Sequence, residues 1–154
     1  MNIEEIYLRH VDTIYRLCHM YLKNPDDAQD ATQSTFEKLL VRKEPFESTE
    51  HEKAWLIVCA SNLCKNMLKH WYRSKRTDVE EMAVLPAKET PHDETLALLY
   101  ELDEESRRLV YLVYYEGYRI TEVAKMDGVN ESTLRSRLAR AREHLKLALE
   151  EDEE

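Results

Sequence analysis

The stretch from Tyr118 to Arg142 reads as a helix, a sharp turn and a second, basic helix, and Gly128 is the residue that makes the turn. A side chain would clash in the left-handed backbone that closes a helix, and the chain has only one other glycine, Gly117. Asn130 follows as a cap for the second helix, its side-chain oxygen facing the free N–H groups of Ser132 or Thr133, and Val129 is placed to pack on Leu134. This is a helix-turn-helix pattern. Around it no strand alternation and no internal repeat appears, so the expected fold is all-α.

Leu134, Leu138, Ala141 and Leu145 recur at helical spacing and are expected to face inward. That leaves Ser132, Ser136, Ala139 and Arg140 near the centre of the outer face, with Thr133, Arg135 and Arg137 beside it. Small residues let a helix sink into a groove, and arginines reach guanine edges and phosphates. Arg119 stands where the first helix of the motif begins. With no cap side chain of its own, it relies on Glu122 reaching back to its backbone N–H, and it is a candidate phosphate contact.

A net charge of −9 looks wrong for a nucleic-acid binder until it is divided along the chain. Residues 61–77 carry Lys65, Lys69, Arg73, Lys75 and Arg76 with no acid, and residues 106–149 sum to +4. Residues 79–105 sum to −8, and 150–154 are all acidic. Basic working surfaces alternate with acidic joints.

Length permits one ordinary domain or two small helical ones. Two small units would each bury only about 60% of their unfolded surface, so a large partner fits them. No apolar run approaches a membrane span, and Met1-Asn2-Ile3-Glu4-Glu5 is acidic, unlike a signal peptide, so a cytoplasmic protein with no membrane insertion is expected. Cys18, Cys59 and Cys64 lie in helical patterns and read as buried thiols, without metal-ligand spacing. No cofactor is expected. No clustered nucleophile, base or phosphate-cradling loop is visible, so an enzyme is not expected either.

In chain order, Ile6, Val11, Ile14, Leu17, Cys18 and Tyr21 give a first helix over roughly residues 3–22. Asn24-Pro25-Asp26-Asp27 starts a second, with Asn24 as cap and proline at the first helical position. Its buried stripe is read as Ala28, Ala31, Thr35, Phe36, Leu39 and Leu40, leaving Gln29, Asp30 and Gln33 outside. After a break at Glu44–Ser48, Thr49 and Glu52 suggest a capping box for a third helix reaching about Tyr72, with Trp55, Val58, Cys59, Asn62, Leu63 and Leu68 inward. Its second half turns basic and aromatic together, through Lys65, Asn66, Lys69, Trp71, Tyr72 and Arg73. Cations that grip a backbone beside rings and amides that meet an unpaired base suit single-stranded DNA.

The expected organisation is a helical domain over 1–76, an acidic linker over 77–89, a helix-turn-helix domain over 90–149 and an acidic tail over 150–154. Thr90 caps and Pro91 opens a helix carrying Leu96, Leu99 and Leu102. Asp103 caps another over Glu104 to Glu116, with Leu109, Val110 and Val113 supporting the motif.

With both halves read, the chain resembles the bacterial RNA polymerase sigma factors of the small extracytoplasmic-function group, within the sigma-70 family. Asp27 through Phe36 resembles the polymerase-binding helix, Ala54-Trp55-Leu56 through Ala60-Ser61-Asn62-Leu63 the promoter-melting helix, and Gly117 through Arg142 the domain that reads the minus-thirty-five element. The resemblance implies that Asp27, Asp30, Gln33 and Phe36 contact core RNA polymerase. It implies that the loop from Phe46 to His51, with Asn62, Lys65, Asn66, Lys69 and Arg73, holds the flipped base and opened strand of minus-ten promoter DNA. Arg119, Ser132, Thr133, Arg135, Ser136, Arg137 and Arg140 would meet the minus-thirty-five duplex. Ser61 stands where an arginine is common in the family. An anti-sigma factor is a further candidate partner. Two other readings of the same residues are a stand-alone helix-turn-helix regulator and a helical protein-binding adaptor.

Overall fold

A computed structural model describes residues 1–77 and 94–152. Among them every regular element is helical, and the chain divides into two compact units, Met1–Glu89 and Thr90–Glu154. The expected linker and the Thr90-Pro91 helix start lie outside the described residues, apart from Thr77.

The first unit is a three-helix packing of α1 (Ile3–Leu22), α2 (Pro25–Val41) and α3 (Thr49–Thr77). Asn2 caps α1 by accepting from the Glu5 N–H at 3.2 Å. Asn24 caps α2 with bonds from the Asp26 and Asp27 N–H groups at 2.9 and 3.2 Å, ahead of Pro25. Both starts follow from local chemistry, since a side-chain oxygen satisfies N–H groups that the helix cannot. Ile14, Leu17 and Tyr21 of α1 meet Ala28, Ala31 and Leu39 of α2 and Leu56, Ile57 and Ala60 of α3 in a core where each is at most 2% exposed. Thr32 and Thr35 enter that core because their hydroxyls donate to Ala28 and Ala31 carbonyls at 2.7 and 2.8 Å. Cys18 and Cys64 meet there as hydrogen-bonded free thiols, which lowers the first and raises the second.

Four expectations for this unit are corrected. Leu40 is 63% exposed, because α2 runs past the core at its last turn. The capping box of Thr49 and Glu52 is absent: Ser48 Oγ accepts from the His51 N–H at 3.0 Å, and Glu52 is buried against α1 instead. There its Oε1 takes a 2.9 Å hydrogen bond with His10 Nε2 and an ion pair with Arg9. The inward face of α3 is also rotated from the one expected, since Glu52, Leu56, Ile57, Ala60, Ser61 and Cys64 are buried while Asn62 is exposed. The helix continues to Thr77, past the expected end at Tyr72.

In the second unit α4 (Glu94–Leu99), α5 (Glu104–Val110) and α6 (Ile120–Asp127) pack with α7 (Glu131–Asp152), the long helix of the motif. The single helix expected over Glu104 to Glu116 breaks after Val110 into a π-helical turn, Tyr111–Tyr115. Its wider winding stacks Tyr115 on Tyr111 at 5.7 Å, and Gly117, at φ 77°, lets the Tyr118 N–H return to the Leu112 carbonyl at 2.9 Å. Leu109, Val110 and Leu112 are buried under the motif.

Candidate nucleic-acid interface

The turn forms as its residues require. Gly128 closes α6 at φ 66°, Asn130 Oδ1 accepts from the Ser132 N–H at 3.1 Å, and Glu122 reaches back to the Arg119 N–H at 3.0 Å. A second hold was not visible in the sequence. Arg108 of α5, with its side chain 5% exposed, makes a two-pronged ion pair with Asp127 at 2.6 and 3.0 Å, fixing the residue immediately before the turn. The fork of a guanidinium matches a carboxylate, so this pair sets angle as well as distance.

On α7, Leu134, Leu138 and Ala141 are buried, while Ser132, Thr133, Arg135, Ser136, Ala139 and Arg140 are exposed. Arg135 is paired along its own helix with Glu131. Arg137 departs from the expected set: it is half-buried and bonded to Asp103 at the start of α5, at 3.2 Å. Partial burial pushes the Asp103 carboxyl up, but contacts with Ser106 and Arg137 outweigh it and hold the group below its usual value. Arg137 is thus drawn toward the support of the motif, and Arg140 holds the centre of the exposed face.

In the first unit the structure brings the strand-binding candidates together. Asn62, Asn66, Lys69 and Arg73 are exposed and follow one another at spacings of four, three and four, which places them within about 40–60° of one face, with half-buried Lys65 at its margin. That face lies opposite the buried stripe of Leu56, Ile57, Ala60 and Cys64. Ser61 is 2% exposed and its hydroxyl donates to the Ile57 carbonyl at 2.7 Å, so this position serves the core. Extending the exposed face toward the N-terminus reaches Trp55 and His51, both half-buried beside Phe46.

The polymerase-binding candidates divide. Asp30 and Gln33 are exposed on α2, with Gln33 Nε2 donating to Glu37 at 3.4 Å. Asp27 is half-buried, and desolvation, then repulsion from Asp30 and Asp26, raises its carboxyl above the usual value. Phe36 is only 7% exposed, because the Tyr7 ring stands edge-on over it at 4.9 Å. Exposed apolar groups nearby on α1 and α2 include Tyr7, at 43%, Leu8, at 68%, and, past Phe36 on α2, Leu40, at 63%, and Val41, at 78%. Among the described residues no group of three or more His, Cys, Asp or Glu side chains is placed to hold a metal ion, and no helix is long and apolar enough to cross a membrane.

A buttressed helix-turn-helix in one unit, and a stripe of amides and cations leading from an aromatic loop in the other, are the equipment of a DNA-binding transcription protein. Comparison with known proteins makes the class specific. Residues 6–76 match the family model for sigma-70 region 2 and residues 92–145 that for sigma-70 region 4. RNA polymerase sigma factor SigV of Bacillus subtilis (strain 168) is 27% identical over 147 residues, covering 94% of this chain and 89% of the relative. ECF RNA polymerase sigma factor SigE of Mycolicibacterium smegmatis is 30% identical over 154 residues, covering 93% of this chain and 60% of that protein. In fold, the chain is similar to the sigma factor RpoE solved with the anti-sigma factor NepR from Bartonella quintana, at a TM-score of 0.74 and 22% identity over 96% of each chain. The chain belongs to the sigma-70 family, in its extracytoplasmic-function group. It is a promoter-specificity factor whose partners are core RNA polymerase and promoter DNA.

Proposed function

We infer that the two units divide promoter recognition between them: α7 reads the minus-thirty-five duplex, and α3 with the loop before it captures the opened minus-ten strand. The observation that carries this reading is the α3 face, where Asn62, Asn66, Lys69 and Arg73 line up beyond Trp55. A stand-alone regulator has no use for such a stripe, whereas a factor that melts DNA needs cations for the backbone and flat or amide groups for unstacked bases. Extruding a base costs a few kcal/mol, which a fitted site offsets. The protein performs no covalent chemistry and works in the cytoplasm with the polymerase. An anti-sigma factor is a candidate partner, in line with the complex formed by the structural neighbour.

The test is reconstituted holoenzyme carrying Arg140→Ala or Lys69→Ala. Arg140→Ala is expected to relax preference at one or two minus-thirty-five positions by about 1–3 kcal/mol. Lys69→Ala is expected to slow open-complex formation and to reduce the salt slope by about one, leaving that preference intact. Uniform weakening on every minus-thirty-five variant would make Arg140 a phosphate clamp. A Lys69→Ala protein unimpaired on linear and on pre-melted templates would remove α3 from melting.

Polymerase docking is proposed for the exposed face of α2, around Asp30 and Gln33. Because Phe36 is core, Phe36→Ala is expected to cost about 3–5 kcal/mol of stability, and its effect on docking is indirect. Leu40→Ala and Gln33→Ala are expected to leave the unfolding free energy within about 0.5 kcal/mol of wild type while weakening association with labelled core polymerase. Unchanged polymerase affinity in both variants would move the docking face elsewhere.

A further inference from the structure

Between α2 and α3 the chain turns through Arg42–Ser48, and side chains fix that turn at several points. Arg42 takes extended backbone at the end of α2, and its Nε donates to the Glu44 carbonyl at 2.9 Å. Its guanidinium carbon lies 4.3 Å from the Phe46 ring centre and 5.3 Å from that of Trp55. Phe46 in turn stands 5.7 Å from Trp55 and edge-on to His51 at 5.2 Å. At the far end, His51 Nδ1 accepts from the Glu47 N–H at 3.1 Å and Ser48 Oγ accepts from the His51 N–H at 3.0 Å. Lys43, Glu44, Pro45, Glu47 and Ser48 remain exposed on this frame, whereas Arg42, Phe46, His51 and Trp55 are all half-buried.

A core would bury these rings completely, and a solvated connection would not stack them. Their arrangement instead holds an exposed loop in one shape at the head of the α3 stripe, since His51 and Trp55 share a helical face with Asn62, Asn66, Lys69 and Arg73. The mainstay is Arg42, the group that joins backbone and rings: it bonds to the loop through Glu44 and lies over both Phe46 and Trp55. Only a flat, delocalised cation does both at once, because an ammonium has no plane to lay on two rings while donating sideways.

We propose that Arg42 is a positioning residue for base capture, holding the 43–48 loop in its receiving shape before the opened strand arrives. This rests on the reading of α3 as the strand-capturing helix. A loop that orders only on contact draws its ordering cost from the binding free energy, and a loop already fixed does not. The effect is therefore confined to the captured base and absent from the grip on phosphates.

The experiment uses reconstituted holoenzyme and fork-junction templates whose single-stranded minus-ten segment is intact or carries one abasic site, moved position by position. With wild-type protein one abasic position is expected to weaken binding about tenfold, the scale of a base held by stacking. With Arg42→Ala that penalty is expected to shrink below about twofold while affinity for the abasic template stays near wild type. Arg42→Lys is expected to behave like Arg42→Ala, although it keeps the charge. Lys69→Ala is expected to lower affinity for intact and abasic templates alike. Full base dependence in Arg42→Ala overturns the proposal, as does equal weakening on both templates, which would make Arg42 a phosphate contact. Rescue by Arg42→Lys overturns it too, since charge alone would then suffice. An Arg42→Ala protein with a lowered melting temperature is replaced by Arg42→Gln, read by the same criteria. If wild type shows no abasic penalty at any position, base capture itself fails, an outcome distinct from an intact penalty that ignores Arg42.

Discussion

Asp127→Ala is expected to lower the stability of the second unit by about 3 kcal/mol. Asp127 is the ion-pair partner of Arg108, whose side chain is 5% exposed, and truncation removes two charge-assisted bonds from a cation that water reaches poorly. Breaking such a pair costs about 3–5 kcal/mol, and the 20% exposure of the Asp127 side chain puts this case at the low end. Both tryptophans, Trp55 and Trp71, lie in the first unit, so tryptophan fluorescence should ignore the change. Amide exchange across α5, α6 and α7 should report it. Replacing the pair together, as Arg108→Met with Asp127→Leu, is expected to restore most of the loss, because the buried cation is removed along with the carboxylate that balances it. A double variant as unstable as Asp127→Ala would show that the ion pair stabilises in its own right. In holoenzyme, Asp127→Ala is expected to weaken minus-thirty-five recognition more than any single contact on α7, since the turn itself loses its brace.

The second large effect is expected at Glu52. Its carboxylate is buried between Arg9 and His10, with His10 4% exposed at 2.9 Å. Glu52→Ala removes two charge-assisted bonds and opens a void between α1 and α3, for an expected loss of about 3 kcal/mol. Arg9→Ala should cost about 1 kcal/mol or less, because the Arg9 side chain is 41% exposed. Glu52→Gln keeps an acceptor for His10 and should fall between. Urea unfolding followed by tryptophan fluorescence isolates this unit, and a Glu52→Ala midpoint equal to that of Arg9→Ala would refute the buried network.

The particular residues show where sequence is informative. Asn24 before Pro25, Gly128 before Asn130, and Glu122 after Arg119 act within four residues of themselves, so their structures were legible from local chemistry. Glu52 was not. Three positions after Thr49 it satisfies a capping pattern, and only the distant His10 decides the outcome. The inward face of α3 was misread for a related reason: Trp55, Val58 and Leu63 make its outer side apolar too, so periodicity alone did not fix the rotation. Periodicity places Phe36 on the buried stripe of α2, and it is buried; the Tyr7 ring that covers it, 29 positions earlier, is beyond any local rule. The π-helical turn has no compositional mark. The Arg108–Asp127 brace spans 19 positions, beyond any local rule. Of the site, the outer face of α7 was legible, whereas the rotation of α3 and the supports of the turn were not.

The unbroken run of α3 from Thr49 to Thr77 makes it a ruler. Trp55 and Arg73 are separated along it by about 27 Å, at 1.5 Å per residue. No glycine or proline lies between them to let the helix bend. A flexible tether would accept a captured base and a gripped phosphate at any separation, whereas this helix accepts one. On the proposed reading of α3, the protein measures the length of open strand held at the promoter, and inserting a single nucleotide between base and phosphate is expected to put the two grips out of step.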